Sequence, residues 1–327
     1  MLARMNQQRI GNSRRSATPT TRLERLALAA GMVVSSLRAF ARFPSLFIAL
    51  VFVWAATAAV TFLALPYAFD AVDALGGSYV AFAVIGLGGF AVAGVLLSFA
   101  CFILLERVRQ IEMDEPRSVA AALGRALVNT ARAIPIILVW SVLWLGVNAL
   151  AALLGGDEDD DGAASFGDTD SLLDLSVRAA CDALRMLLFL SLPAIAWEVG
   201  NGPLRAVKRG VAVARRHGAE FAVGLLLTEL GAWLIALPLL ALLAVTAGSE
   251  ADVPELVWFG ALALALLGWT LVMLVQQLFA AELYVWHLLW EDASERSLAE
   301  GTGPLDPHAV PRPSLIDGIP ALAAIDS

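Results

Sequence analysis

Lysine is nearly absent from this sequence: Lys208 is the only one, and arginine supplies the other cations among 22 basic residues. Acids outnumber bases, for a formal net charge of −8. Scarce lysine with an acidic excess suits a surface kept soluble at high salt, where carboxylates retain hydration and self-repulsion under strong screening. A GC-rich codon bias gives the same arginine preference. Nucleic acid is not an expected partner. Only two cysteines occur, Cys101 and Cys181, both in apolar segments. The topology below puts them near opposite bilayer faces, which excludes a bridge and leaves packing as their role. A secretory signal is also missing, because no short apolar core with a cleavage site follows the polar, arginine-rich start.

Enzyme motifs are missing as well. The chain has no P-loop, no H-E-x-x-H, no G-x-S-x-G elbow and no paired membrane aspartates of the G-x-G-D type. Gly86-x-Gly88-Gly89 lies inside an apolar run, without the strand–turn–helix context of dinucleotide binding. His217-Gly-Ala-Glu220 is not a zincin motif. The acidic run 157–161 lacks the D-x-[DN]-x-[DN]-G spacing and distal Glu of a calcium loop, and reads as a solvated loop. His287 with Glu282 and Glu291 reads as an inner-interface cluster rather than a metal site. Neither catalysis nor a cofactor is expected.

What the chain has in abundance is apolar sequence: 59% hydrophobic residues and a mean hydropathy of +0.75, against roughly 45–50% apolar in soluble domains. This predicts an all-α polytopic membrane bundle. Six spans are expected at about 45–67, 78–105, 134–154, 176–199, 219–246 and 257–290, within a membrane domain covering 21–291. Residues 1–20 read as a disordered cytoplasmic arm. Residues 292–327, with Pro304, Pro307, Pro311 and Pro313, read as a mostly disordered tail.

Amphipathic basic connectors precede spans one, three and five. The first opens on a capping box, Thr21-x-x-Glu24, and suits a helix lying in the headgroup layer. The second opens at Asp114-Glu-Pro116 and carries Arg117, Arg125 and Arg132 within an arc of about 80°. The third sets Arg205, Lys208, Arg209 and Arg216 opposite Leu204, Val207, Val211 and Ala214. These cations are the candidate contacts for anionic lipid headgroups.

Charge sorting gives the orientation. Of the 22 basic residues, eight lie in 1–42, five in 106–132, five in 203–217 and two in the tail. Only Arg178 and Arg185 remain, while the opposite loops are acidic. The positive-inside rule then puts both termini in the cytoplasm of a plasma-membrane protein. Trp197, Trp286 and Trp290 at inner span ends, and Trp258 at an outer one, suit interfacial belts. The connectors also repeat. Ala41-Arg42, Ala131-Arg132 and Ala214-Arg215 precede the odd spans, and Glu106, Glu198 and Glu291 close the even ones. Three parallel hairpin repeats, or similar constraints acting three times, both account for this.

Inside the spans, ionisable groups are the functional candidates. Glu229 lies about ten residues into span five, roughly 16 Å deep. Asp174, Arg178, Asp182 and Arg185 form a ladder on one face of span four, where Pro193 introduces a bend. Arg185 is expected either to meet Glu229 inside the bundle or to be satisfied by Asp182 on its own helix. Gln276 and Gln277 read as interhelical hydrogen-bonders. Gly89/Ala93 and Gly94/Ser98 are small-xxx-small pairs suited to close helix approach.

At SLPAIAWEVGNGPLRAVKRGVAVARRHGAEF, with QLFAAELYVW in span six, the chain resembles a family of six-span integral membrane proteins of archaea and bacteria. That family has a Leu-Pro…Glu span end followed by an Ala-x-x-Arg/Lys-rich connector. More distantly, the layout is similar to the membrane domain fused to some glycerophosphodiester phosphodiesterases, without their catalytic domain. The resemblance covers about 25–290; it implies a fold and no activity. The acidic 157–161 loop and the arginine bias depart from the family pattern. The leading expectation is a non-enzymatic bundle that organises lipid, a protein partner or further copies of itself. The alternatives are a small permease or channel using Glu229, Arg185, Asp182, Gln276 and Gln277, and an enzyme acting on lipid headgroups.

Overall fold

The computed structural model describes residues 22–74, 79–113, 115, 118–154, 169–198, 202–248, 253–303 and 305–310. The N-terminal arm, Arg117, the 157–161 cluster and residues 311–327 lie outside them. Among the described residues eight α-helices follow in order: α1 (Arg22–Arg42), α2 (Phe47–Ala74), α3 (Tyr79–Glu112), α4 (Val119–Leu154), α5 (Thr169–Trp197), α6 (Pro203–Arg216), α7 (Gly218–Gly248) and α8 (Glu255–Ala299). Short 3-10 turns occupy Pro44–Leu46 and Pro307–Ala309, and no strand occurs among the described residues.

Among the described residues five helices are long and apolar enough to cross a bilayer: Val84–Glu112, Val119–Leu150, Ala179–Trp197, Gly218–Thr246 and Glu255–Ala299. The pair Leu26–Arg42 and Pro44–Val60 meets the same test together, bent by 96° at Phe43, and raises the number to six if counted as one span. The bend has a local cause. Pro44 cannot donate a helical hydrogen bond and fixes its own φ, so the helix stops at Arg42 and restarts through a 3-10 turn.

The core lies at the connector end of the bundle. Every residue of α8 from Val272 to His287 is buried, as expected of a helix enclosed on all sides. Against it pack α7, α5, α1, α3 and α6. Ala100–Leu105 of α3 and Met186, Phe189, Leu190 and Leu192 of α5 fill the space between. Farther along, the apolar residues Leu256, Phe259, Leu262, Leu266 and Trp269 of α8 are exposed. In water that would be a large patch; on a lipid-facing helix it is the ordinary surface.

Several expectations change. The second connector is not a separate helix, because α4 runs unbroken from Val119 to Leu154 with Pro135 inside it. The carbonyl that Pro135 frees, on Ala131, belongs to an exposed residue and so has access to other donors. The first connector does not simply lie on the surface: Ala29, Met32, Val33, Ser36, Ala39 and Phe40 bury one face of α1 against α7 and α8. Nor is the whole of 292–327 a disordered tail. Helix α8 continues to Ala299, Gly301 and Gly303 turn the chain with φ of 75° and 90°, and 305–310 folds back onto α8. Trp286 donates to the Val310 carbonyl at 3.2 Å, and Trp290 to that of Leu305 at 2.9 Å. These two indoles therefore hold the returning chain, and Trp286, 1% exposed, is no interfacial anchor.

Only one of the small-residue pairs marks a close approach. A Cβ on Gly94 would lie 2.9 Å from Ile137 Cγ2 and 3.3 Å from the Trp140 ring, whereas one on Gly89 meets nothing within 4 Å. The tightest glycine contacts fall elsewhere, between α7 and α8. A Cβ on Gly224 would come within 2.1 Å of Phe279, and one on Gly268 within 2.1 Å of Ile235.

Candidate functional site

Two polar clusters sit in this scaffold. The first lies among the apolar helices α5, α7 and α8. Counted from their connector ends, Arg185 on α5 lies twelve residues before Trp197 and Glu229 on α7 lies eleven after Gly218, depths of about 18 and 16 Å. Equal depth on neighbouring helices lets them meet. Arg185 Nη2 contacts Glu229 Oε1 directly and reaches Asp182 Oδ1 at 2.8 Å. Both expected partners are thus engaged by one guanidinium. Gln276 of α8 donates to Glu229 Oε1 at 3.0 Å and to Thr228 Oγ1 at 2.9 Å. Arg185 is 14% exposed and Glu229 25%, so the charges are largely out of solvent and bonded to one another, as a low-dielectric setting demands.

Gln277 has a different task. Its Nε2 lies 3.3 Å from the Phe189 carbonyl, the acceptor four residues before Pro193 that loses its helical donor to the proline. The side chain of α8 thereby repairs the backbone of α5. Gln277 belongs to packing, while Asp182, Arg185, Glu229 and Gln276 form one network.

The second cluster lies at the connector end and was only partly foreseen. Glu106 and Glu198, which end their apolar runs, each take an arginine from the connector that follows. Arg125 contacts Glu106, with Glu115 3.6 Å from Arg125. Arg209 lies 3.6 Å from Glu198 and donates to Glu291 Oε1 at 2.7 Å. Tyr284 donates to Glu198, and His287 Nε2 lies 3.4 Å from Glu291 Oε1. Burial opposes the charge on Arg209, but Glu291 and Glu198 outweigh it and hold the guanidinium above its ordinary pKa. A cavity of about 320 Å³ opens here, lined by Glu198, Arg209, Leu288, Leu289, Glu291, Asp292 and Glu295.

These pairings divide the candidate headgroup contacts. Arg125 and Arg209 are committed to internal carboxylates, and Arg216 lies 4.4 Å over the Trp290 ring. Arg132, Arg205, Lys208 and Arg215 are exposed outside these contacts, and Arg125 and Arg216 are exposed even while engaged in them. Sequence reasoning missed the convergence of His217, His308 and Glu220 beside His287. His217 packs 4.6 Å from Trp286 and 5.6 Å from His287, and His308 Nε2 lies 3.3 Å from Glu220 Oε1. The spacing of these residues along the chain carries no common period that would have exposed them. Among the described residues no three His, Cys, Asp or Glu side chains are disposed to hold a metal ion. No family model matches the chain, and neither does any curated protein or solved structure.

Proposed function

We propose that the protein is a non-catalytic, six-span bundle of the plasma membrane with both termini in the cytoplasm, which organises anionic lipid headgroups at its connector face. The observation that carries the reading is the division of charge. Arg185, Arg209 and the 45% exposed Arg125 are bonded to carboxylates of the bundle, which leaves Arg132, Arg205, Lys208 and Arg215 as exposed connector cations outside those pairs. Each such cation near an anionic surface contributes about 1 kcal/mol, less at high salt. The test compares thermal unfolding in nanodiscs of neutral and of anionic lipid. Anionic lipid should raise the midpoint, and Arg205→Gln with Lys208→Gln should remove most of the gain. Equal midpoints in both lipids would dispose of the reading.

The six-span topology, the likeness to the six-span family and the three-hairpin repeat belong to this proposal. The recurring ion pair from a span-closing glutamate to the next connector's arginine, Glu106 with Arg125 and Glu198 with Arg209, supports the repeat. Cysteine introduced at Asp159 should react with impermeant maleimide from outside the cell. A small permease is the second reading, favoured by the Arg185–Glu229 pair at mid-depth. Against it stand Leu278, Phe279, Ala280, Ala281 and Leu283, each 0% exposed, between that pair and the cavity at the connector end. A flux in proteoliposomes that Glu229→Gln abolishes would reverse the order of the two.

A further inference from the structure

All three histidines of the chain meet where the returning segment 305–310 lies on α8. Trp286, Trp290 and Ser297 are spaced four and seven apart, which puts them on one face of the helix. That face receives the segment: the two indoles donate to its carbonyls at 3.2 and 2.9 Å, and Ser297 donates to the Gly303 carbonyl at 2.7 Å. His308 packs against Trp286 at 5.5 Å between ring centroids, and His217 lies against the same indole at 4.6 Å. His217 is 1% exposed, and among the described residues neither of its ring nitrogens has a hydrogen-bond partner. A buried imidazole without partners is poorly placed to hold charge, since nothing replaces the lost water.

We propose that residues 305–310 form a proton-operated latch, which protonation of His217 releases from the Trp286–Trp290 face. While the segment is docked, burial first, and then His287, His308 and Arg216, hold the pKa of His217 down to about 3 from an ordinary 6.5. Undocking admits water to the ring and restores ordinary basicity, so acid favours the open form. The groups around His217 act with this sign: His287 on α8, His308 on the segment and Arg216 on α6 all add positive charge or none. Glu220 on α7, three residues along, is directed at His308. Protonated His308 would grip Glu220 and oppose release, but that is one pair against a wholly desolvated ring. Farther along α8, Glu291 faces His287, and Glu282 accepts from Ser35 of α1 at 2.9 Å.

The linkage predicts an open population rising up to about tenfold per pH unit below about 6.5. The full chain, with Cys101 and Cys181 replaced by Ala, is spin-labelled at Ala309→Cys, an exposed site, and held in nanodiscs. Its mobile fraction should rise about tenfold or more between about pH 7.5 and pH 5. His217→Gln and His217→Phe should flatten that rise, with thermal unfolding at neutral pH confirming that each is folded. Equal mobility at both pH values in the parent overturns the proposal. An undiminished rise in either folded His217 variant does the same, as does release by EDTA at constant pH, which would make the ligand a metal ion.

Discussion

Gln277 and Pro193 act as a pair although 84 positions separate them in the chain. The proline deprives the Phe189 carbonyl of its helical N–H, and the amide of Gln277, on a different helix, lies 3.3 Å from that oxygen. The bond is buried, which makes an unfilled acceptor there expensive. Gln277→Leu should therefore destabilise the fold by about 1 kcal/mol, the usual size of such a bond between membrane helices. In a Pro193→Ala background the new N–H at 193 serves Phe189, and the same substitution should cost less than half as much. Reversible unfolding in mixed micelles measures the cycle; equal costs in both backgrounds would show that the two residues are uncoupled.

Removing one member of the Arg185–Glu229 pair should cost more than removing both. Glu229→Gln leaves Arg185 with Asp182 alone, at a cost of about 1–3 kcal/mol, below the range for a fully buried pair because Glu229 is 25% exposed. Adding Arg185→Met should recover much of that loss, since no uncompensated cation then remains in the span. Unfolding of the single and double variants under identical conditions checks the ordering.

The α7–α8 contact should be sensitive at Gly224. A methyl there meets the ring of Phe279 at 2.1, 2.4 and 2.8 Å, and that ring is fully buried. Gly224→Ala should destabilise by about 1–3 kcal/mol through overpacking, and Phe279→Leu should relieve it. Gly89→Ala, with open space around it, should change the midpoint little in the same assay.

Two arginines on one connector should differ in whether lipid charge matters to them. Arg205 is exposed, so Arg205→Gln should lower stability only in anionic nanodiscs, by about 1 kcal/mol. Arg209 is bonded to Glu291, so Arg209→Gln should lower it in neutral and anionic lipid alike. Thermal midpoints of both variants in both lipids separate the roles.

His217 should also set part of the acid sensitivity of the whole fold. Its folded pKa of about 3 lies below the ordinary 6.5, so between those values the unfolded chain binds the extra proton. The stability owed to this group in the docked form is complete above about pH 6.5 and declines as pH falls, until release of the segment lets the folded chain take up the same proton. His217→Phe should remove that share of the slope in unfolding free energy, measured at several pH values in that window.

The membrane class was legible because it rests on local sequence. Runs such as Phe47–Val60 and Leu234–Val245 are apolar by composition alone, and the connectors declare themselves through arginines facing one way. The pairing of Arg185 with Glu229 was legible for a related reason: rise per residue fixes depth, and few charges occur at that depth. Other features were not. Pro135 signals a helix start in isolation, yet α4 passes through it because the freed carbonyl is at an exposed position. Arg125 and Arg209 look like surface cations beside Arg132 and Arg205, and only packing shows which ones face a glutamate.

Alone, the order of amino acids settled that the chain forms apolar helices of membrane-crossing length and that its cations gather on the connectors. Those properties depend on each residue and its near neighbours. Tertiary structure decided which charges neutralise one another, that α8 occupies the centre, that Gln277 supplies what Pro193 removes, and that the chain after Ala299 turns back to bring His308 toward His217. These depend on which helix faces meet across long stretches of chain, and no local pattern encodes that distance.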